Sequence, residues 1–78
     1  MDDHYKAGIY QHYKGSFYLL ENVARHSETE ELFAVYRPMY GKRDLWIRPL
    51  EMFIEKVKYD GNLIPRFSYY CEESQFED

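Results

Sequence analysis

The residues able to do chemistry gather in two stretches of the 78-residue chain. The first is His26-Ser27-Glu28. Read as catalysis, it would be a hydroxyl activated by its neighbours. Adjacent residues of an extended chain point to opposite sides, so Ser27 beside its own base has poor geometry for activation. The spacing Ser27-x-x-Glu30 matches a capping box, in which the hydroxyl accepts a backbone N–H. That makes the segment a loop, structural first and ligand-contacting second. The second stretch is Trp46-Ile47-Arg48. Alternation puts Trp46 and Arg48 on one face of a strand. If the strand carrying Tyr36 pairs with it, Tyr36 and the His26 loop approach that face. An indole, a guanidinium and a phenol on one surface can receive a peptide, a nucleotide base or an acidic group. The competing assignment puts Trp46 in the core and pairs Arg48 with Glu51 or Glu28.

Other groups give weaker signals. Fifteen aromatic residues, nine of them Tyr, exceed what a small core easily encloses. A buried phenol needs a hydrogen-bond partner, so several tyrosines, Tyr13 among them, belong at a rim. Arg25, Arg37 and Arg43 interleave with them. The carboxylate groups Glu28, Glu30 and Glu31, and Glu51 with Glu55, fall where side chains are solvated and lack the contrasting environments of an acid–base pair. His4, His12 and His26 lack metal-ligand spacing. Cys71 stands alone, which fits a reducing compartment, and nothing beside it marks a lowered thiol pKa. No phosphate-cradling glycine loop or EF-hand spacing occurs. No catalytic residue, metal or cofactor is therefore expected.

Charge narrows the partner. Ten basic against 14 acidic residues leave −4. Six of the acids lie in the tails, so residues 6–71 carry a net charge near +2. A nonspecific nucleic-acid binder carries a stronger basic excess. No apolar run approaches the ~18 residues of a membrane span. The opening Met1-Asp2-Asp3-His4 lacks signal-peptide character, and a cytoplasmic protein is expected.

These groups must be positioned by strands. Tyr, Phe, Val, Ile and Leu are dense between residues 8 and 68, which favours β structure. Strands are expected at about 9–13, 16–26, 31–38, 45–48, 53–59 and 62–67. Lys14-Gly15 and Asp60-Gly61 read as tight turns. Neither face of the second strand is cleanly polar, as where a strand bends and serves two sheets. Pro49 opens one possible helical turn. Pro65 marks an edge. The fold class is all-β: a small SH3-like barrel of five or six short strands. Its domain covers 8–68, between a mobile end at 1–7 and an acidic end at 69–78.

The segments Tyr10-Gln11-His12-Tyr13-Lys14-Gly15, Ala24-Arg25-His26-Ser27-Glu28-Thr29, Val35-Tyr36, Tyr40-Gly41, Trp46-Ile47-Arg48-Pro49-Leu50-Glu51-Met52-Phe53 and Pro65-Arg66-Phe67 follow one another in an order that resembles a bacterial family of small proteins, domain-of-unknown-function family 1653. The resemblance covers roughly residues 8 to 68. It implies a compact SH3-like barrel in a bacterial cytoplasm and brings no reaction, ligand or catalytic residue with it. The functional expectation is thus a non-catalytic binding module. Tyr13, His26, Ser27, Glu28, Tyr36, Trp46 and Arg48 are its candidate ligand-binding residues, and a protein or peptide is its partner. Base stacking of RNA or single-stranded DNA is the alternative, and a small enzyme or accessory domain a second one. Exposed edge strands leave homo-oligomerisation open.

Overall fold

The computed structural model describes residues 5–77. Along the chain run β1 (Gly8–His12), β2 (Phe17–Arg25), β3 (Leu32–Pro38), β4 (Trp46–Pro49), α1 (Leu50–Ile54), β5 (Lys56–Tyr59), β6 (Asn62–Pro65), β7 (Phe67–Cys71) and a 3-10 turn at Glu73–Gln75. Five strands form one antiparallel sheet in the order β4-β3-β2-β1-β7, and β5 and β6 form a separate hairpin. The all-β class holds, with one short helix, and the described residues carry seven strands rather than five or six.

Local chemistry accounts for the turns. At Lys14-Gly15 the His12 N–H donates to the Ser16 carbonyl at 2.8 Å and the Gly15 N–H to the His12 carbonyl at 2.7 Å. Asp60 and Gly61 hold φ of 55° and 80°, the pair of positive values that a type I′ hairpin demands. Pro49 caps α1 from outside its first turn, because its fixed φ suits a helix start and it has no N–H to leave unpaired. Pro65 lies in β6, which pairs only with β5, so its missing donor costs no ladder bond.

The mixed character of β2 has a different origin from the one expected. The strand belongs to one sheet, not two. Its register against β3 runs Leu20↔Tyr36 and then Asn22↔Val35, so Glu21 is an extra, bulged residue. A bulge inverts the alternation beyond it. Tyr18, Leu20 and Val23 therefore all face the same core, in spite of their mixed parity. On the other face Ile9 and Leu19 sit opposite each other across β1 and β2 and are both buried. Phe17 there meets Tyr70 and Phe76 at ring separations of 4.8 and 5.2 Å. Apolar residues are needed on both faces, which is why neither reads as polar.

Described residues on both sides of 8–68 also touch the sheet. Beyond residue 68, β7 continues to Cys71, pairing with β1, and the chain then turns and returns Phe76 to the sheet. Cys71 and Phe76 are thus half-buried, while the acidic Glu72, Glu73 and Glu77 stay exposed. At the other end, Tyr5 packs against the core and the Lys6 ammonium lies 4.6 Å from the centre of the Tyr69 ring. Residues 1–4 and 78 lie outside the described residues. Gly8 is required where β1 passes β7: a Cβ there would meet Tyr69 Cε1 at 2.9 Å and the Cys71 carbonyl at 3.0 Å, at φ 147°.

The core lies on one face of the sheet. Tyr10, Leu20, Ala34 and Tyr36 come from β1–β3, Phe67 from β7, and Leu50 and Phe53 from α1. Phe53 stacks on Phe67 with centroids 4.2 Å apart and planes 6° from parallel. It meets Tyr10 and Tyr36 edge-on at 5.4 and 5.5 Å. Such ring contacts add to plain area burial. The buried Tyr10 hydroxyl donates to the Lys6 carbonyl at 2.9 Å, which satisfies it.

Candidate functional site

Alternation carries side chains from each strand to the same end of the core face. In register, Tyr36 lies opposite Trp46, Tyr18 opposite Pro38 and His12 opposite Phe67. Arg48 follows Trp46 two residues along β4, opposite the fully buried Ala34. Tyr40 enters from the connection between β3 and β4. Together they enclose a cleft of about 120 Å³ to which every strand of the five-stranded sheet contributes. Trp46 forms its rim and is 57% exposed. This decides against a core position for the indole.

The cleft is rich in hydrogen-bond donors, and among the described residues no carboxylate lines it. The Tyr18 and Tyr40 hydroxyls share a hydrogen bond of 3.1 Å. Burial, followed by that bond, pushes the Tyr18 phenol up to about 12, against an opposing pull from the Arg48 charge. It is a neutral donor at any physiological pH. Burial also pushes His12 below its ordinary value, and the cations Arg66, Lys14 and Arg48 push it the same way. The Lys14 N–H donates to His12 Nδ1 at 3.2 Å. Nδ1 is then the acceptor of a neutral ring, and Nε2 carries the proton.

Arg48 differs from the other arginines. Arg25 donates to the Glu30 carbonyl, Arg37 to Glu21 at 2.8 Å, Arg66 to Glu55 at 3.2 Å, and Arg43 is also engaged. Arg48 alone has no hydrogen bond or ion pair among the described residues. The expected alternatives, a pair with Glu51 or Glu28, do not form. A half-buried guanidinium with no counter-charge holds open donors that favour an anion.

The structure brings together Tyr36, Trp46 and Arg48 of the expected set. Tyr13 lies next to the cleft but does not line it: its ring packs on His12 at 4.6 Å and on Tyr59 at 5.6 Å. His26, Ser27 and Glu28 lie at the opposite end of β3, beyond Leu32. Tyr36 lies four residue steps along the strand from Leu32, which is roughly 13 Å. His26 moreover meets Phe33 at 6.0 Å, and Phe33 alternates away from Tyr36. The loop's internal bonds are also not those of a capping box. His26 Nδ1 accepts the backbone N–H groups of Glu28 and Thr29 at 3.1 and 3.3 Å. Thr29 Oγ1, rather than Ser27, accepts a further N–H, from Glu31. The imidazole therefore takes the place expected of the serine hydroxyl.

His12, Tyr18, Tyr40 and Phe67 line the cleft outside the expected set. The bulge places Tyr18, and the β1–β7 pairing places His12 beside Phe67; both are long-range features. A signal was present for Tyr18, which shares the parity of Leu20 on β2. A larger hollow of about 630 Å³ lies on the other face, between Phe17, Met39, Tyr70 and Phe76. It is broad and open, and no cationic side chain lines it. Among the described residues no three His, Cys, Asp or Glu side chains converge as a metal ion would need.

Known proteins bear on this site as follows. The family described as protein of unknown function, DUF1653, matches residues 8–69. The crystal structure of a DUF1653 protein from Bordetella bronchiseptica is similar with a TM-score of 0.78 and 33% sequence identity, over 95% of this chain and 96% of that one. No curated protein matches. The family match begins at the first residue of β1, ends inside β7 and takes in all the residues that line the cleft; the chain belongs to the DUF1653 family of proteins of unknown function.

Proposed function

We propose that the chain is a non-catalytic recognition module of a bacterial cytoplasm, taking a protein or peptide at the cleft between Trp46, Arg48 and the tyrosines. The observation that carries this reading is the convergence of aromatic and cationic side chains from all five strands on one small cleft. A volume of about 120 Å³ is well below the ~300–1,000 Å³ of pockets that engulf a small molecule. It suits one side chain of a larger partner. Tyr, Trp and Arg are the residue types that dominate protein-binding hot spots. The exposed indole beside an edge strand fits strand addition by an extended peptide.

Base stacking on Trp46 is the competing reading. It is weakened by a single arginine in the cleft and a chain charge of −4, because affinity for a nucleic acid grows with the number of phosphates neutralised. The test is an NMR titration of the isotope-labelled chain with a degenerate pool of short peptides and, separately, with short degenerate RNA and single-stranded DNA at low salt. The peptide pool should shift the Trp46 indole and Tyr36 signals, and Trp46→Ala should remove the response. Shifts caused only by an oligonucleotide pool, and fading steeply with salt, overturn the proposal in favour of base stacking.

A further inference from the structure

We infer that the group taken into the cleft is a carboxylate, presented by an extended peptide that lies along the free edge of β4. The inference rests on the recognition reading above and names its ligand. Its first support is the state of Arg48. This guanidinium is half-buried, faces the cleft and has no hydrogen bond or ion pair among the described residues, whereas the other four arginines are all engaged. A cation held partly out of water without a counter-charge is unfavourable, and an incoming anion relieves it.

The second support is the composition of the wall. The phenols of Tyr18, Tyr36 and Tyr40 line the cleft with the cation, and among the described residues no acidic side chain does. The Tyr18–Tyr40 pair can use only one of its two hydroxyl protons on itself, so one remains to donate elsewhere. The neutral His12 ring, its Nδ1 already occupied by the Lys14 N–H, has only Nε2–H to offer. The available groups are donors around one positive charge. A planar, singly charged acceptor of two hydrogen bonds matches a guanidinium fork. Phosphate, with a greater charge and three terminal oxygens, is usually met by more than one cation, and among the described residues Arg48 is the only charged one lining the cleft at neutral pH.

The third support is the strand beside it. β4 ends the sheet order, and among the described residues only β3 pairs with it. Ile47 is 66% exposed on its far face, while Trp46 and Arg48 face the cleft. A peptide added as a strand would alternate likewise, so one of its residues, or its terminus, can lie over Arg48. The carboxylate can thus come from an Asp or Glu side chain or from a peptide C-terminus.

The experiment separates these sources. The labelled full-length chain is titrated with a blocked peptide carrying a central Glu, with the same peptide carrying Gln, with a neutral peptide ending in a free C-terminus, and with inorganic phosphate. The signals followed are the Arg48 Nε–H and the Trp46 indole N–H. Either the Glu peptide or the free C-terminus should bind about tenfold or more tightly than the Gln peptide, the value of a charge-assisted hydrogen bond. Arg48→Gln should bring the two affinities together, and Arg48→Lys should restore part of the difference. Linkage also requires a bound carboxylate to raise the pKa of His12. Equal binding of the Glu, Gln and free-terminus peptides overturns the carboxylate inference and leaves the peptide reading standing. Tighter binding of phosphate, self-association through β4 that blocks every probe, or no response to any of the four overturns it as well. Only failure of the degenerate peptide pool removes the parent reading.

Discussion

Arg48→Gln separates a ligand-facing arginine from a structural one. The substitution removes the charge and one methylene. A fully buried methylene is worth about 0.8 kcal/mol, so at half burial the loss is about 0.4 kcal/mol. No hydrogen bond or ion pair among the described residues is broken, so no desolvated partner is left behind. The total should stay within about 0.5 kcal/mol, the range of ordinary surface substitutions. For a domain of this size that is about 2–4 °C in Tm, read by differential scanning fluorimetry or calorimetry. The charge itself is read by proton NMR of the His12 ring against pH. Arg48 is one of the cations that hold His12 down, after burial and with Arg66 and Lys14, so His12 should titrate at higher pH in the variant. Tyr18 should move in the same direction, because Arg48 now pulls it down against the causes that raise it. A fall in Tm of more than about 8 °C, which is over 1 kcal/mol, would make Arg48 a structural strut. An unmoved His12 would mean that its charge does not reach the cleft. Either result refutes the argument for an unpaired cation there.

Three further outcomes are expected. Phe53→Ala removes the ring that stacks on Phe67 at 4.2 Å and is 1% exposed; a loss of about 3–5 kcal/mol should leave the chain largely unfolded in a urea titration, whereas Phe53→Leu should stay folded with a lower midpoint. His26→Ala releases two backbone N–H groups, those of Glu28 and Thr29; the loss should be about 1 kcal/mol, with peptide binding at the cleft unchanged in the NMR titration, and a loss of binding without a loss of stability would return the loop to the site. Stability should also fall at both extremes of pH. The His12 pKa is depressed on folding, so its contribution is complete above the unfolded value of about 6.5 and is lost as the pH falls from there towards the folded value. The Tyr18 pKa is raised to about 12, so its contribution is complete below about 10 and is lost as the pH rises through 12; His12→Gln and Tyr18→Phe should each flatten their own limb of a Tm-against-pH curve.

Part of the site is legible in the sequence because it rests on local rules. Trp46 and Arg48 are two residues apart in one strand, so the period of two alone puts them on one face. Tyr36 follows from a short connection between β3 and β4, which favours antiparallel pairing. The His26 loop fails for the complementary reason. Its position depends on which end of β3 it leaves from, and a β3 of seven residues carries it well away from Trp46. Its residue types suggest chemistry, but an imidazole that accepts two backbone N–H groups holds a turn. His12 and Phe67 are 55 positions apart in the chain and meet only through the β1–β7 ladder.

What the sequence determined by itself is the β class, the turns and the parity of each short strand, since these depend on φ preferences and on the alternation of neighbouring side chains. Tertiary structure alone decided the bulge at Glu21, the pairing of β7 with β1, and so which tyrosines and which histidine join Trp46 and Arg48. The reason is physical: register and bulge position are settled by cross-strand packing between distant segments, and no local preference along the chain encodes which distant partner a strand meets.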